Sequence, residues 1–548
     1  MAIASLGNGT KLDAAEVQAL AKAAGLSLAD SAVEDWQVLL GGLEDSAQLM
    51  LAEDDDLPIP DPAKYLRTDI EVPADNNKGG WATRCLIKST APTSDLLAGR
   101  TMAVKDNTAV AGVRCTNGLP PINGEWIPKY DAAVVTRVLD AGAVVIGKAA
   151  CENACMEPMS NTSYTGVVHN PYADGYTCGG SSSGSGRLVA LGAVDMAIGG
   201  DQGGSIRIPA AFCGIVGLKP TWGLVPYTGI LGLQSTIDHT GPMTSTVRDN
   251  ALMLEAIAGP DGLDDRQPVY LPPGMLKYSS ALDEFLAAGS NKPKDQLLKG
   301  FKIGILKEGF AAPQLNPNVS KACHSAISDL KALGAEVVEV SVPSHEQICV
   351  AWSCALPLRG GREALLGDTT GRKQFEMTDR SVAAAPAMGP NSKAFLSQEF
   401  FDALGPGAQN LYMRYLYVND KYGAKLHAKC TNLLNKATQL YDAVLESVDV
   451  MVMPTVPMAA LPFKKDISGP LANLSYPLGV LSNTAQFNST GHPALSLPVG
   501  FVPAPDNPDV KLPAGLQIVA KRFEDLTTYK IAAAWEQNKD WKKLVFAD

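Results

Sequence analysis

Apolar residues at helical spacing dominate the first part of this 548-residue chain. Asp13 is placed to cap a helix whose apolar positions include Val17 and Leu20, and the stretch from Asp30 to Leu51 repeats the pattern. An acidic run and the prolines of LPIPDP follow, which is typical of an exposed connection. We therefore expect residues 1–85 to form a helical N-terminal region and a linker.

Beyond this region the pattern alternates between strands and helices. Residues 100–105 predict a short apolar strand, and Asp131 is placed to cap a helix over 132–141. Further strands are predicted at 143–146, 301–306, 336–340, 448–453 and 494–499, with an amphipathic helix at 319–333. This alternation favours an α/β fold, in which helices cover both faces of a sheet.

The segment 346–440 breaks the alternation and is rich in Ala, Gly and aromatic residues. Its Met and aromatic side chains are Phe375, Met377, Met388, Phe395, Phe400, Phe401, Tyr412, Met413, Tyr415 and Tyr417. We expect a small, mainly helical insertion that divides the α/β core into residues 86–345 and 441–548. Side chains of this kind can line a pocket for small apolar ligands, and any single one can equally serve packing.

Charge and targeting signals limit the function classes. The formal net charge is −11, which argues against a nucleic-acid-binding surface. The N-terminal residues lack the basic and apolar regions of a signal peptide, and no apolar run approaches the length of a membrane span. We therefore expect a cytoplasmic protein with neither a nucleic-acid nor a membrane partner.

The ten cysteines follow no disulfide or metal-binding spacing. Their only close pair is Cys151 and Cys155 in the sequence CENAC, where no His neighbours them to complete a metal site. We interpret the cysteines as reduced thiols packed in the core. We expect neither a metal nor a cofactor.

Lys105 and Ser205 are the first candidates for chemistry. Lys105 ends an apolar strand in AVKDN, where burial would favour the neutral amine that can accept a proton. Most lysines are solvated surface groups, so this position alone is weak support for catalysis. Ser205 follows two glycines in DQGGSIRIPA, where backbone N–H groups can turn toward one point and form an oxyanion hole. An ordinary glycine turn is the alternative.

The sequence GGSSSGSG, residues 179–186, packs four serines and four glycines into one loop. No Gly-Lys-Ser/Thr follows, which disfavours a phosphate-binding loop, and the apolar helical segment directly after it disfavours a flexible linker. Residues 180–184 formally match the nucleophile elbow of α/β-hydrolases, with His239 or His492 as the base. That elbow requires a preceding apolar strand, and a loop pattern stands there. Lysine with two serines can replace the histidine of such a triad.

Together these segments resemble the amidase signature family. The resemblance covers residues 97–243 and returns at 449–457 and 483–500, and GGSSSGSG, DQGGS and GLKPT carry it. One departure is Ser183, where the family's pattern has glycine. The resemblance implies an amidase-signature fold, in which helices cover a mixed central sheet.

The resemblance also assigns roles to residues. The family's triad maps to Lys105, Ser181 and Ser205, and the two serines are 24 residues apart (205 − 181), as in the family. Ser205 would attack the amide carbonyl, while Ser181, after a cis peptide bond, would pass the proton to Lys105. Ser182 would support this relay, and Arg207 would be structural. The oxyanion would bind to the backbone N–H groups of Gln202, Gly203, Gly204 and Ser205.

Within the family, the chain looks like the amidases that accompany nitrile hydratases. In those relatives N-terminal helices support a dimer and the inserted segment narrows the substrate pocket. We therefore predict a homodimer that hydrolyses a small-molecule amide to an acid and ammonia or an amine. Three alternatives stay open: a carbamate, anilide or ester hydrolase, a non-catalytic binding protein, and one component of a glutamine-dependent amidotransferase.

Overall fold

The computed structural model describes residues 7–122, 125–367, 375, 396–464 and 467–547, and it divides into two compact units, Met1–Pro58 and Ile59–Asp548. The first unit contains α1 (Ala14–Ala23) and α2 (Asp30–Leu51). Asp13 accepts a hydrogen bond from the backbone of Ala15 (2.8 Å) and caps α1. Both helices were predicted from the apolar spacing.

A single sheet of 12 strands forms the frame of the second unit, in the order β1-β2-β4-β3-β5-β7-β6-β11-β12-β10-β8-β9. The strands are β1 (Tyr65–Glu71), β2 (Trp81–Ser89), β3 (Thr101–Lys105), β4 (Val144–Ala149), β5 (Met196–Asp201), β6 (Val216–Lys219), β7 (His239–Thr244), β8 (Lys302–Leu306), β9 (Glu336–Val340), β10 (Val450–Pro454), β11 (Ala494–Pro503) and β12 (Lys511–Ala520). Strand β3 is parallel to β4 and β5, and β8 is parallel to β9 and β10, whereas the other neighbours are antiparallel. The sheet is therefore mixed, as predicted.

Helices of this unit pack on the sheet and on one another. They are α3 (Ala133–Asp140), α4 (Ser183–Ala190), α5 (Arg207–Cys213), α6 (Val247–Ile257), α7 (Tyr278–Ser290), α8 (Pro317–Ala332), α9 (His345–Gly360), α10 (Gln398–Ala403), α11 (Pro406–Lys421), α12 (Ala424–Leu445), α13 (Pro470–Ser475), α14 (Ala485–Thr490) and α15 (Asp525–Glu536). Short 3-10 turns lie at Asn153–Cys155, Lys294–Gln296, Lys307–Phe310 and Trp541–Lys543, and a π turn lies at Gly361–Leu365. None of the helices in the described ranges is both long and apolar enough to cross a membrane.

The central position of β3 explains its sequence. Strands β4 and β5 flank it, and its residues from Met102 to Lys105 are all buried. A strand buried on both faces has a continuous apolar sequence, which Met102, Ala103 and Val104 provide. Lys105 is the exception, and it occupies the strand's carboxyl end.

Two local predictions differ from the structure. Asp131 does not cap α3, because the helix begins at Ala133 and Ala132 holds the N-cap position without a side-chain hydrogen bond. The Asp131 carboxylate instead accepts a hydrogen bond from the backbone of Ala111 (2.8 Å) and pairs with Arg67 of β1. The partly buried Arg67 guanidinium is a stronger partner for a carboxylate than a helix N–H group.

The sheet also begins earlier than the sequence pattern indicated. Strands β1 and β2 come from residues 65–89, and the expected boundary at residue 85 falls inside β2. Only Tyr65 of β1 is buried, so β1 lacks the apolar alternation that marks a strand. Its pairing with β2 places it at the edge of the sheet.

Helices dominate the described part of residues 346–440. Helix α9 packs against both α11 and α12, and Leu356, Leu411 and Tyr415 belong to one buried apolar cluster. Met413 and Tyr417 are more than half exposed. The predicted pocket residues Met377, Met388 and Phe395 lie outside the described residues.

Candidate active site

Lys105 is completely buried at the end of β3. Its Nζ donates a hydrogen bond to Ser181 Oγ (2.8 Å) and a longer one to the carbonyl oxygen of Gly200 (3.4 Å). The next residue in sequence, Asp106, forms an ion pair with the buried Lys148 (2.9 Å). The amine of Lys105 therefore meets a hydroxyl group with which it can exchange a proton.

The serine loop is fixed against β5. Its peptide bond Gly180–Ser181 is cis. A Cβ on Gly180 would lie 2.3 Å from the carbonyl oxygen of Glu157, so glycine is required there. Ser182 Oγ donates to the carbonyl oxygen of Gly200 (3.1 Å) and accepts from its N–H group (3.2 Å). Through these two bonds Ser182 holds the loop beside the Lys105 amine.

Ser205 lies in the turn between β5 and α5. Ser205 is partly exposed, whereas all the remaining residues from 201 to 210 are buried. Its carbonyl oxygen accepts a hydrogen bond from the backbone of Ser182 (3.3 Å), so the turn adjoins the serine loop. Within the described residues, the backbone N–H groups of 202–205 donate to no protein acceptor. These N–H groups are free to bind an oxyanion.

A buried ion pair closes the Ser205 turn. Arg207 donates to both carboxylate oxygens of Asp201 (2.9 Å each), and neither side chain is exposed. Burial alone would raise the pKa of Asp201, but the Arg207 guanidinium and the Asn488 amide hold it well below its usual range. Asn488 also donates to the backbone carbonyl of Asp201 (2.8 Å). The charged pair thus fixes both ends of the turn, in agreement with a structural role for Arg207.

Glu152 lies on the other side of the serine loop. Its carboxylate accepts hydrogen bonds from Ser183 Oγ (2.7 Å) and from both the N–H group and the hydroxyl group of Thr162 (2.7 Å each). Burial raises the pKa of Glu152 to about 7. The hydroxyl group of Ser183, at the position where the family's pattern has glycine, therefore has a specific partner.

Trp352 of α9 contacts the turn from the helical segment. Its Nε1 donates to the backbone carbonyl of Gln202 (3.2 Å), and a Cβ on Gly203 would lie 2.9 Å from its ring. The same ring lines a cleft of about 660 Å³ together with Trp222, Gln234 and Leu434. Trp352 of α9 thus contacts the Gln202–Ser205 turn and also lines this cleft.

The comparisons with known proteins identify the family. An Amidase family profile matches residues 81–528. An enantioselective amidase from Rhodococcus rhodochrous is 37% identical over 492 residues, which covers 87% of this chain and 88% of that protein. The chain belongs to the amidase family. As a member of that family, it is an amide-hydrolysing enzyme.

Two further relatives of this enzyme show the breadth of the family. A glutamyl-tRNA(Gln) amidotransferase component from Methanosarcina acetivorans is 32% identical over 446 residues, 81% of this chain and 85% of that protein. The peptide amidase of Stenotrophomonas maltophilia has a similar structure, with a TM-score of 0.62 and 27% identity, over 81% of this chain and 83% of that one.

The structure brings the predicted site residues together. Lys105 bonds to Ser181, and the next residue, Ser182, bonds to the backbone of Ser205. The two histidines considered for an elbow-type triad bind elsewhere: His239 lies 2.8 Å from the carbonyl of Ile237, and His492 lies 3.0 Å from Asp442. The described residues hold no cluster of His, Cys, Asp or Glu that could bind a metal.

Sequence reasoning missed two neighbours of the site. Glu152 stands in the CENAC sequence, which was interpreted only as a cysteine pair. It carries no local signal, because Ser183, which donates to its carboxylate, lies 31 positions later in the chain. Trp352 has no local signal, because its role depends on how α9 meets a turn 150 residues away in the chain.

Proposed function

We propose that this enzyme hydrolyses carboxylic amides through an acyl-enzyme on Ser205, with Ser181 and Lys105 as the proton relay. The 2.8 Å bond from the buried Lys105 to Ser181 carries the proposal. A serine hydroxyl is a weak nucleophile without an adjacent base, and a buried lysine amine bonded to a second hydroxyl supplies one.

The proposed reaction has two halves. Ser205 Oγ bonds to the amide carbon, its proton passes to Ser181, and the Ser181 proton passes to Lys105. The relay then returns a proton to the substrate nitrogen, the carbon–nitrogen bond breaks, and ammonia or an amine leaves. Water attacks the ester carbon and loses a proton to the same relay. The carbon–Oγ bond breaks, Ser205 regains its proton, and the carboxylic acid leaves.

The free N–H groups of the Ser205 turn support this mechanism. The carbonyl oxygen becomes negative when Ser205 attacks, and the N–H groups of Gln202, Gly203, Gly204 and Ser205 can bind that charge. Loss of a single oxyanion donor typically costs about 10²–10³ in kcat. The buried Asp201–Arg207 pair keeps this turn fixed before the substrate arrives.

The substrate proposed is a small-molecule amide, and anilides, carbamates and esters offer the same carbonyl chemistry. An ammonia-supplying component of a glutamine-dependent amidotransferase is a second candidate, because one relative of that kind is 32% identical over 81% of this chain. Hydrolysis of simple amides by the purified chain alone separates the two. A component of that kind would depend on its partner for activity.

A hydrolysis screen with active-site labelling tests the proposal. The purified chain is expected to release acid from an amide, and a fluorophosphonate probe is expected to label Ser205, as located by mass spectrometry. Ser205→Ala is expected to abolish both. Ser328→Ala, on the exposed surface of α8, is the matched control and retains both. Full turnover by Ser205→Ala would place the nucleophile elsewhere.

We further propose that two copies of the chain associate through the N-terminal helices. Leu20, Trp36, Leu43 and Met50 of α1 and α2 are each more than 40% exposed. Apolar side chains grouped on a surface commonly mark a protein–protein contact.

A further inference from the structure

Residues 150–157, which follow β4, are fastened to the serine loop by their backbone. The N–H group of Glu152 donates to the carbonyl oxygen of Ser181 (3.2 Å), and the N–H group of Gly184 donates to that of Ala150 (3.0 Å). These two hydrogen bonds hold the loop at both ends of its three consecutive serines.

The Glu152 side chain adds a third link to the loop. Ser183 Oγ donates to Glu152 Oε1 (2.7 Å), and neither residue is exposed. The other carboxylate oxygen accepts hydrogen bonds from the N–H group and the hydroxyl group of Thr162 (2.7 Å each). The carboxylate therefore cannot turn away from Ser183 without losing those two bonds. A glycine in place of Ser183, as in the family's pattern, has no hydroxyl group to make this link.

The same segment also contacts helices α10 and α11. The buried Glu157 carboxylate accepts a hydrogen bond from the N–H group of Gly407 at the start of α11. Asn153 Nδ2 donates to the carbonyl oxygen of Ala403 at the end of α10 (3.1 Å). A Cβ on Gly407 would lie 2.6 Å from Glu157 Oε1, so the two elements are in close contact. Residues 150–157 thus lie between the serine loop and these helices and bond to both.

We propose that Glu152 is a positioning residue of the proton relay, which holds Ser181 in place through Ser183 and through the backbone. The contacts with α10 and α11 brace the same segment. The Ser181 hydroxyl has to meet both the Lys105 amine and the Ser205 hydroxyl, and a displacement of about 1 Å can lower a rate about 100-fold. This inference rests on the relay proposed above.

A displaced Ser181 has a chemical signature. The nitrogen of an amide leaves only when the relay supplies a proton, whereas para-nitrophenolate leaves an ester without one. Poor positioning of Ser181 should therefore slow an amide more than an activated ester of the same acid. A smaller fraction of folded enzyme would slow both substrates equally.

The test is the ratio of kcat/KM for butyramide to kcat/KM for para-nitrophenyl butyrate. Ser183→Ala and Ser183→Gly are expected to lower this ratio by about tenfold or more, with the ester rate kept within a few-fold of wild type. The control is Ser185→Ala, because the Ser185 hydroxyl is equally buried on α4 but donates to the carbonyl oxygen of Ile198 on β5 (3.1 Å). It should leave the ratio unchanged. An unchanged ratio in both Ser183 variants, or equal losses on the two substrates, would overturn the proposal.

A double-mutant cycle tests whether Ser183 acts through Glu152. Glu152→Leu fills a similar volume and accepts no hydrogen bond. Ser183→Ala should lower the ratio much less in that background than in the wild type, because the link is already lost. Fully additive effects of the two substitutions would contradict a role of Ser183 through Glu152.

Gly407→Ala tests the brace from α11. The added Cβ meets Glu157, so the variant is expected to lower the same ratio, with Tm recorded in parallel. Gly361→Ala is the matched control, because its Cβ would lie equally close, 2.6 Å, to Tyr415 of α11 and away from residues 150–157. Equal ratios in the two variants would show that α11 does not brace the segment.

Labelling of Ser205 by a fluorophosphonate probe separates this inference from the proposed mechanism. A wild type that is neither labelled at Ser205 nor active on butyramide would overturn both. A labelled, active wild type whose Ser183→Ala variant keeps the labelling rate and the substrate ratio would overturn the positioning role alone.

Discussion

The Arg207 guanidinium spans the Ser205 turn by bonding to both oxygens of Asp201, six positions earlier in the chain. The N–H group of Ile206 donates to the same carboxylate (3.1 Å). One carboxylate thus ties the end of β5 to the start of α5. The Ser205 hydroxyl and its neighbouring N–H groups are held by a pair that does not itself touch the reacting atoms.

Arg207→Lys is expected to reduce both kcat and stability. A lysine cannot reproduce the two parallel bonds to Asp201, and leaving a buried charge poorly paired costs about 3–5 kcal/mol. Thermal unfolding and steady-state kinetics measure the two effects. Arg248→Lys, at an exposed pair of the same geometry with Asp283, is the matched control and should cost about 1 kcal/mol or less. Equal effects of the two substitutions would contradict a special role for the buried pair.

Lys105→Ala is expected to be as damaging as Ser205→Ala, because residues that act as a unit lose their effect together. Loss of about three orders of magnitude in kcat, with Tm measured to confirm folding, is the expected result. A small primary amine in the buffer should restore part of the rate by filling the vacated site. Retention of most activity would point to another base.

Trp352→Ala is expected to change the order of preferred substrates. The Trp352 ring packs against Gly203 and also lines the 660 Å³ cleft, so its removal leaves empty space beside the Ser205 turn. kcat/KM for small acyl groups should fall by about 10–100-fold, because the turn loses a support, whereas bulky acyl groups should lose less. Tyr417→Ala, at an exposed aromatic residue of α11, is the control. If all substrates fall equally, α9 supports the fold without contacting the substrate.

Glu157→Gln is expected to stabilise the protein in mild alkali. Burial raises the Glu157 pKa to about 7, against 4.5 in the unfolded chain, and its carboxylate accepts a hydrogen bond from Gly407. Between these values the folded state holds a proton that the unfolded state has lost, so stability falls as pH rises through this range. Glutamine keeps the acceptor without the charge.

Thermal unfolding at about pH 5 and about pH 8 checks this prediction. Between the two pH values the variant should lose less stability than wild type, by about 3 kcal/mol at most in the free energy of unfolding. Its Tm should therefore fall less. Glu446→Gln, at an exposed carboxylate, should follow wild type. Parallel pH profiles for wild type and Glu157→Gln would mean that Glu157 is solvated in the native protein.

Leu43→Glu together with Leu20→Glu is expected to convert a dimer to a monomer. A charge on each copy at an apolar contact opposes association, because burying an unpaired carboxylate is costly. Light scattering coupled to size-exclusion chromatography measures the mass. The double variant Glu34→Ala and Glu44→Ala, at exposed acidic positions of α2, is the control. A monomeric wild type would refute the proposed association.

Apolar periodicity predicted two kinds of element: those with one apolar and one polar face, and those whose residues are continuously apolar. Helix α2 and strand β9 match their predicted bounds, and Ser181 and Lys105 prove to be neighbours. Asp131 was assigned a cap because its partner Arg67 is distant in sequence. Strand β1, with one buried residue, carries no pattern to detect. Trp352 and Glu152 depend on long-range packing, which local spacing does not encode.

The helical segment between β9 and β10 leaves and rejoins the sheet on either side of β8. With strands about 4.8 Å apart, its two ends lie about 10 Å apart across the sheet. Because β9 and β10 are both parallel to β8, the ends are also offset along the strands by three residues, about 10 Å. Doubling the length of such an excursion costs only about 0.6 kcal/mol in closure entropy. We therefore expect the segment to be exchangeable: recombination with a relative's segment should change substrate choice while strand β3, which carries Lys105, and the turn that carries Ser205 keep their sequences.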